Sequence, residues 1–128
     1  MQGPLRLSID PLTEFFDAIK NPETKKRYTR RLEIFFDYIG VEGSTLQKKA
    51  KDFMHRARDP LWATYSINEY IRYQKDRAEK GKIEESTIPN FYKPIKLFCA
   101  RALVETCHLD ENIAYGVYGS ITANHYYD

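Results

Sequence analysis

A chain of 128 residues, 42% apolar and 30% charged, has the size and balance of one folded domain with a single core. That composition excludes a disordered polyelectrolyte, and no apolar run approaches the roughly 18–20 residues that a membrane span requires. The net charge of +2 excludes little alone, but residues 20–80 hold 15 Lys and Arg against nine acids, whereas residues 103–128 hold four acids and no Lys or Arg.

Asp10-Pro11 opens the first predicted helix, with an acidic cap and proline at the first helical position. Leu12, Phe15, Phe16 and Ile19 recur at helical spacing, so this helix covers residues 10–20. Asn21-Pro22 repeats the start signal and opens a second helix, Pro22 to Ile39, in which Tyr28, Leu32, Phe35, Phe36 and Ile39 form one apolar stripe ended by Gly40. Ser44 or Thr45 caps a third helix to about Arg58, with Leu46, Ala50, Phe53, Met54 and Ala57 inward. Asp59-Pro60 breaks it. A fourth helix runs from about Leu61 to Lys80 and stops at Gly81, with Trp62, Tyr65, Ile67, Tyr70, Ile71 and Tyr73 as bulk. Glu85 or Ser86 starts a fifth, continuing to about Val104, with Ile88, Phe91, Ile95, Phe98 and Ala102 on one face. Pro94 lies inside it and predicts a kink, because proline removes a helical hydrogen bond. Residues 106–128 change character: an acidic, Tyr-rich tail with Gly116, Gly119 and Ser120, read as irregular or a short hairpin. The expected fold is therefore all-α, a four-to-five-helix orthogonal bundle over residues 10–105.

If Cys99 and Cys107 lay on one continuous helix they would stand about 12 Å apart, beyond the roughly 7 Å reach of a disulfide, and they read as reduced, packed thiols. Neither they nor His108 have metal-ligand spacing, and His55 reads as a helix-surface residue. The first residues lack the basic start and apolar stretch of a signal peptide, which leads to a cytoplasmic expectation.

The second helix crowds Lys25, Lys26, Arg27, Arg30 and Arg31 into its first half. Helix dipoles favour acids there, so the cluster opposes the local electrostatics, and phosphate is its natural counter-charge. The plainer alternative is a solubilising face softened by Glu23 and Glu33.

Two runs carry a family likeness. Asn21-Pro22-Glu23-Thr24-Lys25-Lys26-Arg27-Tyr28-Thr29-Arg30-Arg31-Leu32-Glu33-Ile34-Phe35-Phe36 places Thr, Tyr, Leu and Phe in the pattern T-x-x-x-Y-x-x-x-L-x-x-F. Glu85-Ser86-Thr87-Ile88-Pro89-Asn90-Phe91-Tyr92-Lys93-Pro94-Ile95-Lys96-Leu97-Phe98-Cys99 follows at a spacing that two helices fill. In this order they resemble the signature helices of the N-terminal core-binding (SAM-like) domain of tyrosine recombinases, the phage-type integrases, with the archaeal type nearest. The likeness covers about residues 10–103. It implies one arm of a clamp on duplex DNA, serving DNA integration and recombination. By position it implies contacts from Thr24, Lys25, Arg27 and Arg31, and from Thr87, Asn90, Lys93 and Lys96; the charge cluster adds Lys26 and Arg30. Thr24 and Thr87 fall near helix starts, where hydroxyls and free amides suit phosphate, or where they simply cap the helix. Two departures stand out: Pro94 in the second run, and an acidic tail where the family carries a basic linker.

The family's catalytic half uses an Arg, a Lys, His-x-x-Arg and a Tyr nucleophile. His125-Tyr126-Tyr127 lacks the partners that would activate a phenol of ordinary pKa near 10, so no enzyme activity, cofactor or metal is expected. The expected partner is double-stranded DNA, with a recombinase catalytic domain or a second copy of the chain beside it, and neither a membrane nor a small-molecule substrate. The alternative is a helical protein-interaction or regulatory module derived from a recombinase, with Tyr65, Tyr73 and Tyr92 as an exposed contact patch.

Overall fold

Three Asx-Pro pairs and two glycines divide the chain, and the computed structural model follows them over the residues it describes, 10–102 and Val104. The elements are α1 (Pro11–Asp17), α2 (Pro22–Ile39), α3 (Leu46–Arg56), α4 (Pro60–Glu79) and α5 (Ile88–Arg101), with a 3-10 turn at Glu85–Thr87 leading into α5. Among the described residues there is no strand, and the architecture is an all-α bundle. The expected tail, 106–128, lies outside the described residues, as does Cys107.

Each helix start satisfies amides that the helix itself cannot. The Asp10 carboxylate accepts from the Thr13 amide, the Asn21 side chain from Glu23 and Thr24, Thr45 from Lys48, and Asp59 from Leu61. Pro11, Pro22 and Pro60 follow their caps, where a missing N–H costs nothing. At the other ends Gly40 and Gly81 adopt φ of 80° and 75°, open to glycine without a Cβ penalty. These turns let Val41 donate back to Phe36 and Lys82 to Arg77, which closes α2 and α4.

The boundaries of α2 match the periodicity, α4 lies one residue earlier at each end, and three others shift further. α1 ends at Asp17 rather than Lys20, because Ala18 and Ile19 tighten into i→i+3 bonds before the next cap. α3 ends at Arg56 rather than Arg58, with Arg58 and Asp59 donating in the same tightened manner. The fifth helix begins as the 3-10 turn and becomes α-helical only at Ile88, ending at Arg101 instead of Val104. α5 is continuous through Pro94, whose ring is buried.

α5 is the central element and packs on α1, α2 and α4. The Phe98 ring lies 6.0 Å from Phe15 of α1, 5.6 Å from Phe36 of α2 and 6.0 Å from Phe53 of α3, so one side chain joins four helices. Phe35 extends the cluster to Tyr70 of α4 at 5.2 Å. Cys99 is buried here as a free thiol, and burial pushes it up to about 12, slightly opposed by Lys96, which keeps it protonated at neutral pH.

α4 corrects the expected core. Ile67, Tyr70 and Ile71 are buried as expected, but Tyr65 and Tyr73 are exposed, and the buried face also takes Ala63, Thr64, Ser66 and Gln74. Small side chains let α4 approach its neighbours, and two of the polar ones are paired: the Thr64 hydroxyl donates to the Pro60 carbonyl and Gln74 accepts from Arg77. Tyr92, placed in an exposed patch by the protein-interaction alternative, is instead a fully buried core residue.

Candidate nucleic-acid interface

At 100° per residue, five cations within seven positions cannot share one face of a helix. On α2, Arg27, Arg30 and Arg31 fall within an arc of about 100°, with Lys26 at its outer edge. Lys25 projects about 140° from Arg30 and is half-buried. Lys26, Arg27 and Arg30 are exposed, whereas Arg31 is half-buried because its guanidinium lies over the Phe91 ring of α5, 5.1 Å from the centroid. The Arg27 guanidinium donates to the Thr24 hydroxyl at 3.4 Å. The Thr24 and Arg27 side chains are thus held together on the first turns, and Arg31 ties them to α5.

Of the two acids expected to soften this face, Glu33 is engaged elsewhere, whereas Glu23 stays exposed on the first turn of α2, one turn before Lys26 and Arg27. Lys49 of α3 donates to Asp37 at 2.7 Å and Glu33 at 3.4 Å, and these carboxylates, Asp37 foremost, raise its pKa. The remaining ion pairs among the described residues, Arg56–Asp52 and Lys80–Asp76, lie on α3 and α4. No carboxylate of the described residues pairs with Lys26, Arg27, Arg30 or Arg31. Their field reaches inward instead. Burial raises the Tyr28 phenol, and Arg27 and Arg31 oppose that rise; burial likewise raises Tyr70, opposed by Gln74, Arg77 and Arg31.

The helix starts offer no free amides for an anion. At α2, Asn21 accepts from Glu23 at 2.8 Å and Thr24 at 3.1 Å through its side chain, and from Lys25 at 2.9 Å through its carbonyl. At α5, the 3-10 turn uses the Thr87 amide, which donates to Glu84 at 2.9 Å, and the Ile88 amide, which donates to Glu85. The amides expected free beside Thr24 and Thr87 are thus engaged within the chain, and neither threonine side chain caps its helix. Asn21 caps α2, and Thr87 stands at the α5 N-cap with helical backbone angles and no side-chain capping bond.

The second set spreads differently. Asn90 is exposed, and Lys93 and Lys96 are half-buried, with the Lys96 ammonium 5.6 Å from the Tyr92 ring centroid. Lys93 and Lys96 lie about 160° and 140° around α5 from Phe91, the residue that meets Arg31. The structure thus joins the two signature helices at Arg31–Phe91 but turns Lys93 and Lys96 away from that junction.

One cation of the junction was not singled out from sequence. Arg77 of α4 donates to Gln74 at 2.7 Å and covers the Tyr73 ring at 5.9 Å. Tyr73 in turn stacks on Tyr38 of α2 at 4.7 Å. The i,i+4 pair Tyr73–Arg77 is the local signal, but it carries weight only once α4 is laid against α2. Arg31 and Arg77, which both act on the Tyr70 phenol, then form a cationic seam bordered by Phe91 and Tyr73, with Arg27 one turn before Arg31 on α2. Such a seam can neutralise phosphates and pack against sugars or bases; it carries no nucleophile or general base.

Compared with protein-family models, curated proteins and solved structures, the chain matches none of them. No helix among the described residues is long and apolar enough to cross a membrane.

Proposed function

We propose that this domain binds duplex DNA through the face formed by Lys26, Arg27, Arg30 and Arg31 of α2 and Arg77 of α4, acting as the core-binding arm of a tyrosine recombinase in DNA integration and recombination. The observation that carries the reading is that four α2 cations stand without carboxylate partners while Lys49 holds Glu33 and Asp37 away from them. Uncompensated guanidinium groups on an outer helix face are the chemistry of phosphate contact, which positions a protein without reading sequence. The family resemblance adds support, since the two runs that carry it are the helices joined by Arg31 and Phe91. Lys93, Lys96 and Asn90 extend the footprint only if the duplex wraps around the start of α5, and Lys25 contributes least.

Contacts to about four to six phosphates give a log–log salt slope of roughly −4 to −5. Arg27→Ala with Arg31→Ala weakens binding to all duplexes alike and makes that slope shallower by about 2, read by fluorescence anisotropy across a salt series. Equal slopes in the variant and the parent would refute the assigned face. The protein-interaction alternative has one observation in its favour, the exposure of Tyr38, Tyr65 and Tyr73, and it predicts a concentration-dependent dimer.

A further inference from the structure

Beside the arginine seam lies a strip that phosphate binding leaves unused. Tyr38 of α2 and Tyr73 of α4 stack with 44% and 42% of their surface exposed. Tyr65 is 65% exposed and makes no ring contact with the described aromatics; Leu61, one turn earlier, is 70% exposed. Tyr65, Glu69 and Tyr73 follow at i, i+4 and i+8 along α4, so they share one side of that helix, and Tyr38 stacks on Tyr73. The strip meets the seam at Tyr73, which Arg77 covers, and the buried Tyr70 ring beneath joins Tyr73 to Phe91, which Arg31 covers.

A blunt duplex has little to offer this strip. Its outermost groups are phosphates, which Glu69 repels, and its base faces are hidden in the stack. An unpaired base presents a π-face to tyrosine and N–H donors to a carboxylate. Arginines that hold a backbone beside tyrosines that accept bases are the arrangement of a single-strand platform.

We propose that the Tyr65–Tyr38–Tyr73 strip receives unpaired bases of a strand whose phosphates cross Arg31 and Arg77, so that the protein prefers DNA with an unpaired segment beside a duplex. This rests on the DNA-binding reading and names the form of DNA that the site takes.

The test uses the full chain with three fluorescent probes of equal phosphate number: a blunt duplex, a fork with unpaired thymidine arms, and a thymidine single strand. The fork is expected to bind about 10-fold tighter than the duplex, within the range of one stacked base. Tyr65→Ala removes that advantage and leaves blunt-duplex affinity and Tm unchanged, whereas Tyr65→Phe keeps it. Equal affinity of the parent protein for fork and duplex overturns the proposal, as does an advantage that survives Tyr65→Ala combined with Tyr38→Ala. A dimer in gel filtration that Tyr65→Ala dissolves, with fork preference unchanged, also overturns it and assigns the strip to a second copy. Duplex binding without fork preference defeats this proposal alone; failure to bind any probe defeats the DNA-binding reading with it.

Discussion

Lys49 controls the charge of a surface to which it does not belong. By holding Glu33 and Asp37 it keeps two carboxylates, one and about two turns beyond Arg30, from the row of cations, and Glu33 sits three positions from Arg30, within pairing distance on a helix. Lys49→Met is expected to weaken duplex binding about 3-fold, beyond the single charge lost, because the released carboxylates turn toward Arg30. Adding Glu33→Gln and Asp37→Asn to that variant restores affinity. Binding in the triple variant no better than in Lys49→Met would rule out this role. Stability changes little, since exposed pairs contribute about 1 kcal/mol or less. Asp52 behaves differently. It accepts from the Glu42 amide at 2.8 Å and from Arg56 at 3.0 Å, and the backbone bond foremost holds its carboxyl below the usual carboxylate range. A pKa lowered on folding contributes stability above the unfolded value and loses it as pH falls through the folded one. Asp52→Asn therefore lowers Tm at pH 7, and the gap to the parent closes once the pH is below the pKa of both states. A gap that persists at strongly acid pH would contradict the assignment.

Helix ends and core faces differ in how openly the chain declares them. Asp10-Pro11, Asn21-Pro22 and Asp59-Pro60 combine a side-chain acceptor with a residue that fits the first helical turn, and all three mark true starts. Gly40 and Gly81 mark true ends because their positive φ is costly to any other residue. Asn21→Ala leaves the Glu23 and Thr24 amides without their acceptor and is expected to cost about 1 kcal/mol, measured by urea unfolding. The α4 face was hidden because its bulk misleads. Its aromatics alternate between core and surface, and the small or polar Ala63, Thr64, Ser66 and Gln74 join Ile67, Tyr70 and Ile71 on the buried face, so hydrophobicity alone ranks Tyr65 above Ser66 although only Ser66 is buried. The start of α5 was blurred for another reason, since a 3-10 turn and an α-helix share the same capping vocabulary while using the amides differently. Phe98, placed inward by periodicity, joins four helices, and Phe98→Ala is expected to cost about 3–5 kcal/mol; a loss under 1 kcal/mol would remove α5 from the centre of the fold.

The bundle turns a sequence cluster into a surface by sorting it. Of five neighbouring cations on α2, the fold exposes three, half-buries Arg31 against Phe91 and half-buries Lys25 on the inner side. It then adds Arg77 from a helix some fifty positions along the chain, which no local pattern relates to α2. The signature residues on α5 illustrate the reverse: Lys93 and Lys96 are near Phe91 in sequence yet turned from it around the helix. Sequence thus indicated which helix bears the charge, while the choice among its side chains depended on which helices lie alongside. Salt titration of binding to random-sequence duplex DNA, for the parent chain, Arg27→Ala/Arg31→Ala and Lys93→Ala/Lys96→Ala, tests this sorting. The account predicts a parent slope of roughly −4 to −5, made shallower by about 2 in the α2 pair and by less than 1 in the α5 pair. A larger loss in the α5 pair than in the α2 pair, or a parent that does not bind duplex at low salt, would contradict it.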